Sequence, residues 1–315
     1  MKEIGGYIEF ERYSGQMYYA DGINLNLGRN ALAYLIEARN IKKMLMPEFM
    51  CDSCDYVLEK YKVKVRKYNI DYNFQPVDIS LEQDEWLYIV NYYGQLSDDY
   101  IGYIKEKYIR IIADYTQAFF QRPIIGIDTI YSCRKYFGVT DGAILITDCR
   151  INRELEQDIS YDRMIYKLGR FEKNGQEFYE QYKQLELKFN EYPLMKMSKL
   201  TRNLLNSIEY DKIKKMRKIN FLFLNEKLKS INKLKLTVPN GAFMYPLYID
   251  NGAMVRRMLQ KIGIYSPCLW PNVFDNCSDK SLEWKFSKNI VALPIDQRYN
   301  LDDMDYMIKE LKKII

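Results

Sequence analysis

Two short stretches hold most of the reactive side chains in this sequence: Asp114-Tyr-Thr-Gln117 and, eighteen residues further on, Ser132-Cys-Arg-Lys135. They set a carboxylate at the end of an apolar run, a lysine on the following loop, and a hydroxyl three residues before that lysine. Pyridoxal 5'-phosphate (PLP) chemistry uses this set of groups. The carboxylate keeps the pyridine nitrogen protonated, so that the ring can withdraw electrons. The amine holds the cofactor and moves a proton, and a hydroxyl with backbone N–H groups binds the phosphate. Read alone, Asp114 equally fits the N-cap of the next helical turn. Gln117 fits either a contact to the cofactor's ring oxygen or a turn cap. Tyr131, Tyr136 and Phe137 flank Lys135 and predict a buried amine of lowered pKa. Arg134 beside it would lower it further or bind an anion.

A third stretch, Gly28-Arg-Asn-Ala-Leu32, lies between the extended Ile23–Leu27 and the first helical pattern. Such a strand–glycine–helix junction presents free N–H groups and the positive end of a helix dipole, which suits a phosphate. An ordinary turn also accounts for the glycine.

Composition narrows the chemistry. The chain has 315 residues, 48% hydrophobic and 28% charged, enough for a sizeable core in two lobes. His is absent, which excludes His general bases, Ser-His-Asp and Cys-His catalysis, and His-ligated zinc. Proton transfer falls to Lys, Tyr, Cys or a carboxylate. Net charge is +5, and the one dense basic run (Lys212, Lys214, Lys215, Arg217, Lys218) reads as a solvated helix face. No nucleic-acid-binding module accompanies it. Cys51-x-x-Cys54 has redox or zinc spacing, but neither a second such pair nor a His completes a metal site, and the six cysteines read as free thiols. The opening residues Met1 to Tyr7 lack a signal peptide's apolar core, and no run is long enough to span a membrane. A cytoplasmic location is expected.

The elements that position these groups follow from apolar periodicity. Ala31–Ala38, Tyr56–Tyr61 and Tyr100–Tyr108 read as helices. Lys43–Met46, Lys62–Tyr68, Trp86–Val90, Ile109–Ala113 and Gly142–Thr147 read as strands. This alternation predicts an α/β domain with a largely parallel sheet and a site at the strands' carboxyl ends. From 150 to 232 the chain turns helical and charged, with Ile213, Met216, Ile219, Leu222 and Phe223 at helical spacing. A strand pattern at Ala242–Ile249, a helix at Gly252–Ile262 and a last helix from Leu301 predict a smaller α+β lobe. The expected division is 20–200 for the larger lobe and 201–315, together with 1–19, for the smaller.

The same residues resemble the DegT/DnrJ/EryC1/StrS family, the PLP-dependent sugar aminotransferases of fold type I. Gly28-Arg-Asn-Ala-Leu32 resembles its phosphate turn. Met46-Pro47 to Cys51 resembles the loop carrying its ring-stacking residue, with Cys51 near the aromatic position and Phe49 as a substitute. Val90-Asn-Tyr-Tyr-Gly94 resembles a strand ending in Tyr-Gly, and Asp114-Tyr-Thr-Gln117-Ala its Asp-x-x-Gln-Ala. Ser132 to Lys135 with Asp141-Gly-Ala resembles its lysine segment, although the Ser-to-Lys spacing is shorter than usual. The resemblance implies a seven-stranded, mostly parallel sheet and PLP as cofactor. It implies Lys135 and Asp114 as catalytic residues. Gly28, Arg29, Asn30, Phe49, Cys51, Gln117 and Ser132 would join them as cofactor-binding residues. The implied reaction passes an amino group from glutamate or glutamine to a nucleotide-linked keto sugar in surface-polysaccharide synthesis, in a homodimer. A sugar dehydratase and a catalytically inactive binding relative are the alternatives. The loop Ile264–Pro271 and Arg298 are candidate substrate contacts.

Overall fold

The computed structural model describes residues 4–315; of the N-terminal segment, Met1 to Glu3 lie outside the described residues. Seven strands form the central sheet: β1 (Ile23–Leu25), β2 (Lys43–Pro47), β3 (Lys64–Tyr68), β4 (Glu85–Val90), β5 (Ile111–Asp114), β6 (Asp128–Ser132) and β7 (Ala143–Ile146). Their order is β1-β7-β6-β5-β4-β2-β3. The run from β6 to β3 is parallel, and only β7 runs against its neighbours. The seven-stranded, mostly parallel sheet expected from the family resemblance is present. Strands β5 and β6 are buried along their whole length, the mark of parallel strands covered on both faces.

Helices α1 (Gly28–Arg39), α2 (Asp55–Lys60) and α3 (Asp98–Lys107) alternate with these strands. Ser97 caps α3 by accepting a hydrogen bond from the Tyr100 N–H, and Asp98 and Asp99 favour its positive end. The helical stretch that follows comprises α4 (Ile165–Glu172), α5 (Tyr179–Lys188), α6 (Lys199–Asn206) and α7 (Tyr210–Leu228). The smaller lobe pairs β8 (Met244–Tyr248) with an antiparallel β9 (Ile290–Pro294). Around them lie α8 (Gly252–Lys261), α9 (Val273–Asn276), α10 (Leu282–Asn289) and α11 (Leu301–Ile314). Phe221, Leu224 and Leu228 of α7 join β8, β9, α8 and α11 in a second core.

In the segment expected with the smaller lobe, Met17 and Tyr19 lie in the larger core, where Tyr19 stacks on Tyr131 at 4.3 Å, while the Tyr13 N–H and the Glu11 carbonyl bond the Asn203 side chain. Two features differ from the sequence reading. Strand β6 has no apolar run of its own, because Asp128 is held by Arg39 at its start and Ser132 belongs to the site at its end. Helix α7 turns a different face inward. Ile219 and Leu222 are exposed, whereas Arg217 and Asn220 are buried among backbone carbonyls that accept their hydrogen bonds.

Candidate active site

Three connections converge at the carboxyl edge of the sheet. Helix α1 begins at Gly28 with no side chain capping its first turn. Gly28 lies beside the ends of β5 and β6: a Cβ built on it would lie 3.8 Å from Thr116 Cγ2 and 3.9 Å from Ser132 Cβ. A helix start opened by a glycine, with Thr116 and Ser132 beside it, forms a candidate anion cradle. Both distances are ordinary van der Waals contacts. Gly28→Ala is therefore expected to fold with an unchanged unfolding midpoint while weakening PLP, measured by fluorescence titration, by about tenfold.

Beside the cradle, Asp114 ends β5 and is buried. Its Oδ1 accepts the Thr116 N–H at 2.8 Å, so the carboxylate does cap its own turn. Its Oδ2 accepts the Tyr88 hydroxyl at 2.9 Å, from the adjacent strand. Burial raises the Asp114 pKa, opposed by these hydrogen bonds and by the charge of Lys135. A buried carboxylate fixed on two sides, with no cation bonded to it, suits a ring nitrogen that arrives with a proton.

Lys135 follows in a single helical turn after β6. The sequence predicted a buried amine, but Lys135 is exposed. Its neighbours Tyr136 and Phe137 turn into the core while its own side chain leaves toward the smaller lobe, with Nζ 5.5 Å from the centre of the Phe243 ring. Gln117 is buried: its Oε1 accepts the Tyr93 N–H at 3.0 Å and its carbonyl accepts the Tyr136 hydroxyl at 2.8 Å.

The side chains of Asn30, Phe49 and Arg298 are engaged by other partners. The Asn30 amide donates to Asn26 Oδ1 and to the carbonyls of Tyr192 and Pro193, binding α1 to the chain before α6. Phe49 is fully buried against Tyr92, Trp270 and Phe286, its faces taken by packing. Trp270, from the loop expected near the substrate, buttresses Phe49. Arg298 is held by both oxygens of Asp296, at 2.6 and 2.8 Å. Cys51 is half-buried, its thiol 2.9 Å from Ser53 Oγ and close enough to bear on the ionisation of Tyr88 and Arg29. A thiol therefore sits near the Asp114 side of the cradle. Among the described residues no group of three His, Cys, Asp or Glu side chains is placed to hold a metal ion, and no helix is long and apolar enough to cross a membrane.

Sequence reasoning missed the hairpin that covers the cradle. Tyr166 of α4, Leu185 of α5 and Phe189 just after α5 pack on Leu27, directly before α1. Arg134 pairs with Glu186, and its guanidinium lies 3.9 Å above the Phe189 ring. Arg29 donates to Asn190. Burial lowers the Lys167 pKa to about 8, with Arg134 and Arg298 adding to the effect. Burial also lowers that of Arg29, where Arg134 is again a nearby cation. The buried Arg134 Nε has no partner among the described residues. Cations thus outnumber anions beside the cradle, and Glu186 is the acidic group that engages Arg134. Glu186→Gln is expected to free Arg134 and tighten PLP binding by about threefold to tenfold, read as the dissociation constant at low ionic strength.

The fold these elements define is that of the PLP-dependent aminotransferases of type I. Among solved structures, the chain is similar to the sugar aminotransferase CalS13 from Micromonospora echinospora, with 13% identity and a TM-score of 0.64 over 92% of this chain and 86% of that one. It is similar to a DegT DnrJ EryC1 StrS aminotransferase from Brucella abortus, with 16% identity and a TM-score of 0.62 over 92% and 85%. It is also similar to the sugar aminotransferase Spr1654 from Streptococcus pneumoniae in its PLP form, with 13% identity and a TM-score of 0.63 over 93% and 86%. No family model matches the sequence, and no curated protein aligns with it significantly.

Proposed function

We propose that this protein is a PLP-dependent aminotransferase that passes an amino group from an amino acid, glutamate or glutamine, to a keto sugar. A nucleotide-linked sugar of surface-polysaccharide synthesis is the acceptor that fits the resemblance. One observation carries the reading. A buried carboxylate, an uncapped helix start, a serine and a lysine meet at one sheet edge, in a fold shared with enzymes described as sugar aminotransferases.

The residues divide the work. Gly28, Arg29, Thr116 and Ser132 would hold the phosphate. Asp114, oriented by Tyr88, would accept the hydrogen bond of the pyridinium N–H. Bound PLP supplies an electron sink for the carbon that loses its proton. Lys135 would anchor the cofactor, and its freed amine would carry that proton. Gln117 keeps Tyr136, and so the lysine turn, at a fixed distance from the Asp114 loop. Cys51 would face the ring in place of an aromatic side chain. The working division is a cofactor lobe over 20–200 and a smaller lobe over 201–315; Met17 and Tyr19 favour counting the N-terminal segment with the larger. A cytoplasmic homodimer is the assembly in keeping with this reading.

Binding without catalysis is the second reading, favoured by the exposure of Lys135 and by the thiol at Cys51. Incubating the PLP-loaded protein with glutamate alone separates the readings. The aminotransferase predicts bleaching of the visible band and one 2-oxoglutarate released per site. A band that stays stable with glutamate and, in a second incubation, with glutamine, with no 2-oxo acid released from either, would contradict it.

A further inference from the structure

Arg217 is the one member of the basic run on α7 that the protein buries completely, with 1% of its surface exposed. No carboxylate pairs with it among the described residues. Its partners are oxygens from three separate segments. Nε donates to Gln297 Oε1 at 2.9 Å. One terminal nitrogen donates to the carbonyls of Ala242 and Phe243 at 3.0 and 3.2 Å, and the other to the carbonyl of Tyr136 at 3.4 Å. Gln297 donates to the same Tyr136 carbonyl at 2.7 Å. The guanidinium also lies 4.5 Å above the Tyr136 ring. Burying a charge against carbonyls alone is costly, and such sites persist where they fix a geometry.

The geometry being fixed surrounds Lys135. Tyr136 is the next residue in the chain, held at its carbonyl by Arg217 and Gln297 and at its hydroxyl by the Gln117 carbonyl. The Phe243 ring lies 5.5 Å from the Lys135 amine, and the Phe243 carbonyl is held by the same guanidinium. Gln117 lies three residues after Asp114. An exposed, flexible amine therefore leaves the backbone from a turn pinned to the Asp114 loop on one side and to the smaller lobe on the other.

We propose that Arg217 is a positioning residue that sets where Lys135 meets the cofactor and what environment its amine feels, linking the smaller lobe to the lysine turn. This inference rests on the PLP reading. A planar guanidinium reaches all three segments at once, whereas a lysine ammonium cannot span them.

The test compares wild type, Arg217→Lys and Gln297→Ala. It uses PLP-loaded protein, the pH dependence of the visible band, borohydride trapping of PLP on Lys135 read by peptide mass, and near-ultraviolet circular dichroism as a check on folding. Arg217→Lys is expected to lower the trapping rate by about tenfold and to move the midpoint of the band's pH profile. Gln297→Ala, which removes one strut and leaves the buried cation in place, is expected to move both the same way by about threefold. If Arg217→Lys fails to fold, Gln297→Ala decides. Folded variants with wild-type trapping and profile would overturn the inference alone. A wild type with no band would overturn the PLP reading and this inference with it.

Discussion

Lys135→Ala is expected to lower turnover by roughly a thousandfold while leaving cofactor affinity within about tenfold of wild type. The asymmetry follows from the layout. In the proposed site, phosphate binding would rest on the start of α1, Thr116 and Ser132, none of which depends on the lysine side chain. Proton transfer would rest on the Lys135 amine, which the turn after β6 sends toward the smaller lobe. Because that amine is exposed, small primary amines have access to its place. Added ethylamine is expected to restore part of the rate in the variant and to leave wild type unchanged. Steady-state rates with and without the amine, alongside a PLP titration, check both halves. Turnover retained in Lys135→Ala would remove the lysine from the mechanism.

Asp114→Asn is expected to lower turnover by about a hundredfold or more, through loss of the charge that keeps the ring nitrogen protonated. The same change should have the opposite effect on stability without cofactor. Burial raises the Asp114 pKa, against hydrogen bonds from Thr116 and Tyr88 and the charge of Lys135. A carboxyl whose pKa is higher in the folded chain than in the unfolded one binds its proton more tightly when folded. Its contribution to stability is therefore present below the unfolded pKa and is lost as pH rises through the folded one. Cofactor-free wild type should lose stability across a window that starts at the ordinary carboxylate range and extends above it. Asp114→Asn should lack that loss and be the more stable protein at neutral pH. Thermal unfolding of both proteins over a pH series reads the difference. Identical profiles would show that the burial of Asp114 has no energetic consequence.

Much of this was legible in the sequence because it is local. Asp114, Ser132 and Lys135 announce themselves by residue type and spacing, and apolar alternation marked most of the strands. What stayed hidden depends on partners far along the chain. Tyr88 reaches Asp114 only because β4 and β5 pair in parallel with Val90 opposite Asp114. Phe49 looks free to stack until Trp270 and Phe286, more than two hundred residues later, cover it. Arg217 reads as one charge among several on α7, since nothing in the periodicity says that three carbonyls from elsewhere will surround it. The aromatic neighbours of Lys135 point to a buried amine, but those rings turn into the core and leave the amine outside. The hairpin of α4 and α5 could be read as helical, and its packing on Leu27 could not.

The central claim is that the sheet edge between α1, β5 and β6 holds PLP on Lys135. The most direct measurement is borohydride reduction of wild-type protein incubated with PLP, followed by peptide mass mapping. A single modified lysine, Lys135, is expected at close to one label per chain. A large excess of inorganic phosphate is expected to compete for the cradle and suppress the label. Label spread over surface lysines, or concentrated on another such as Lys167, would contradict it.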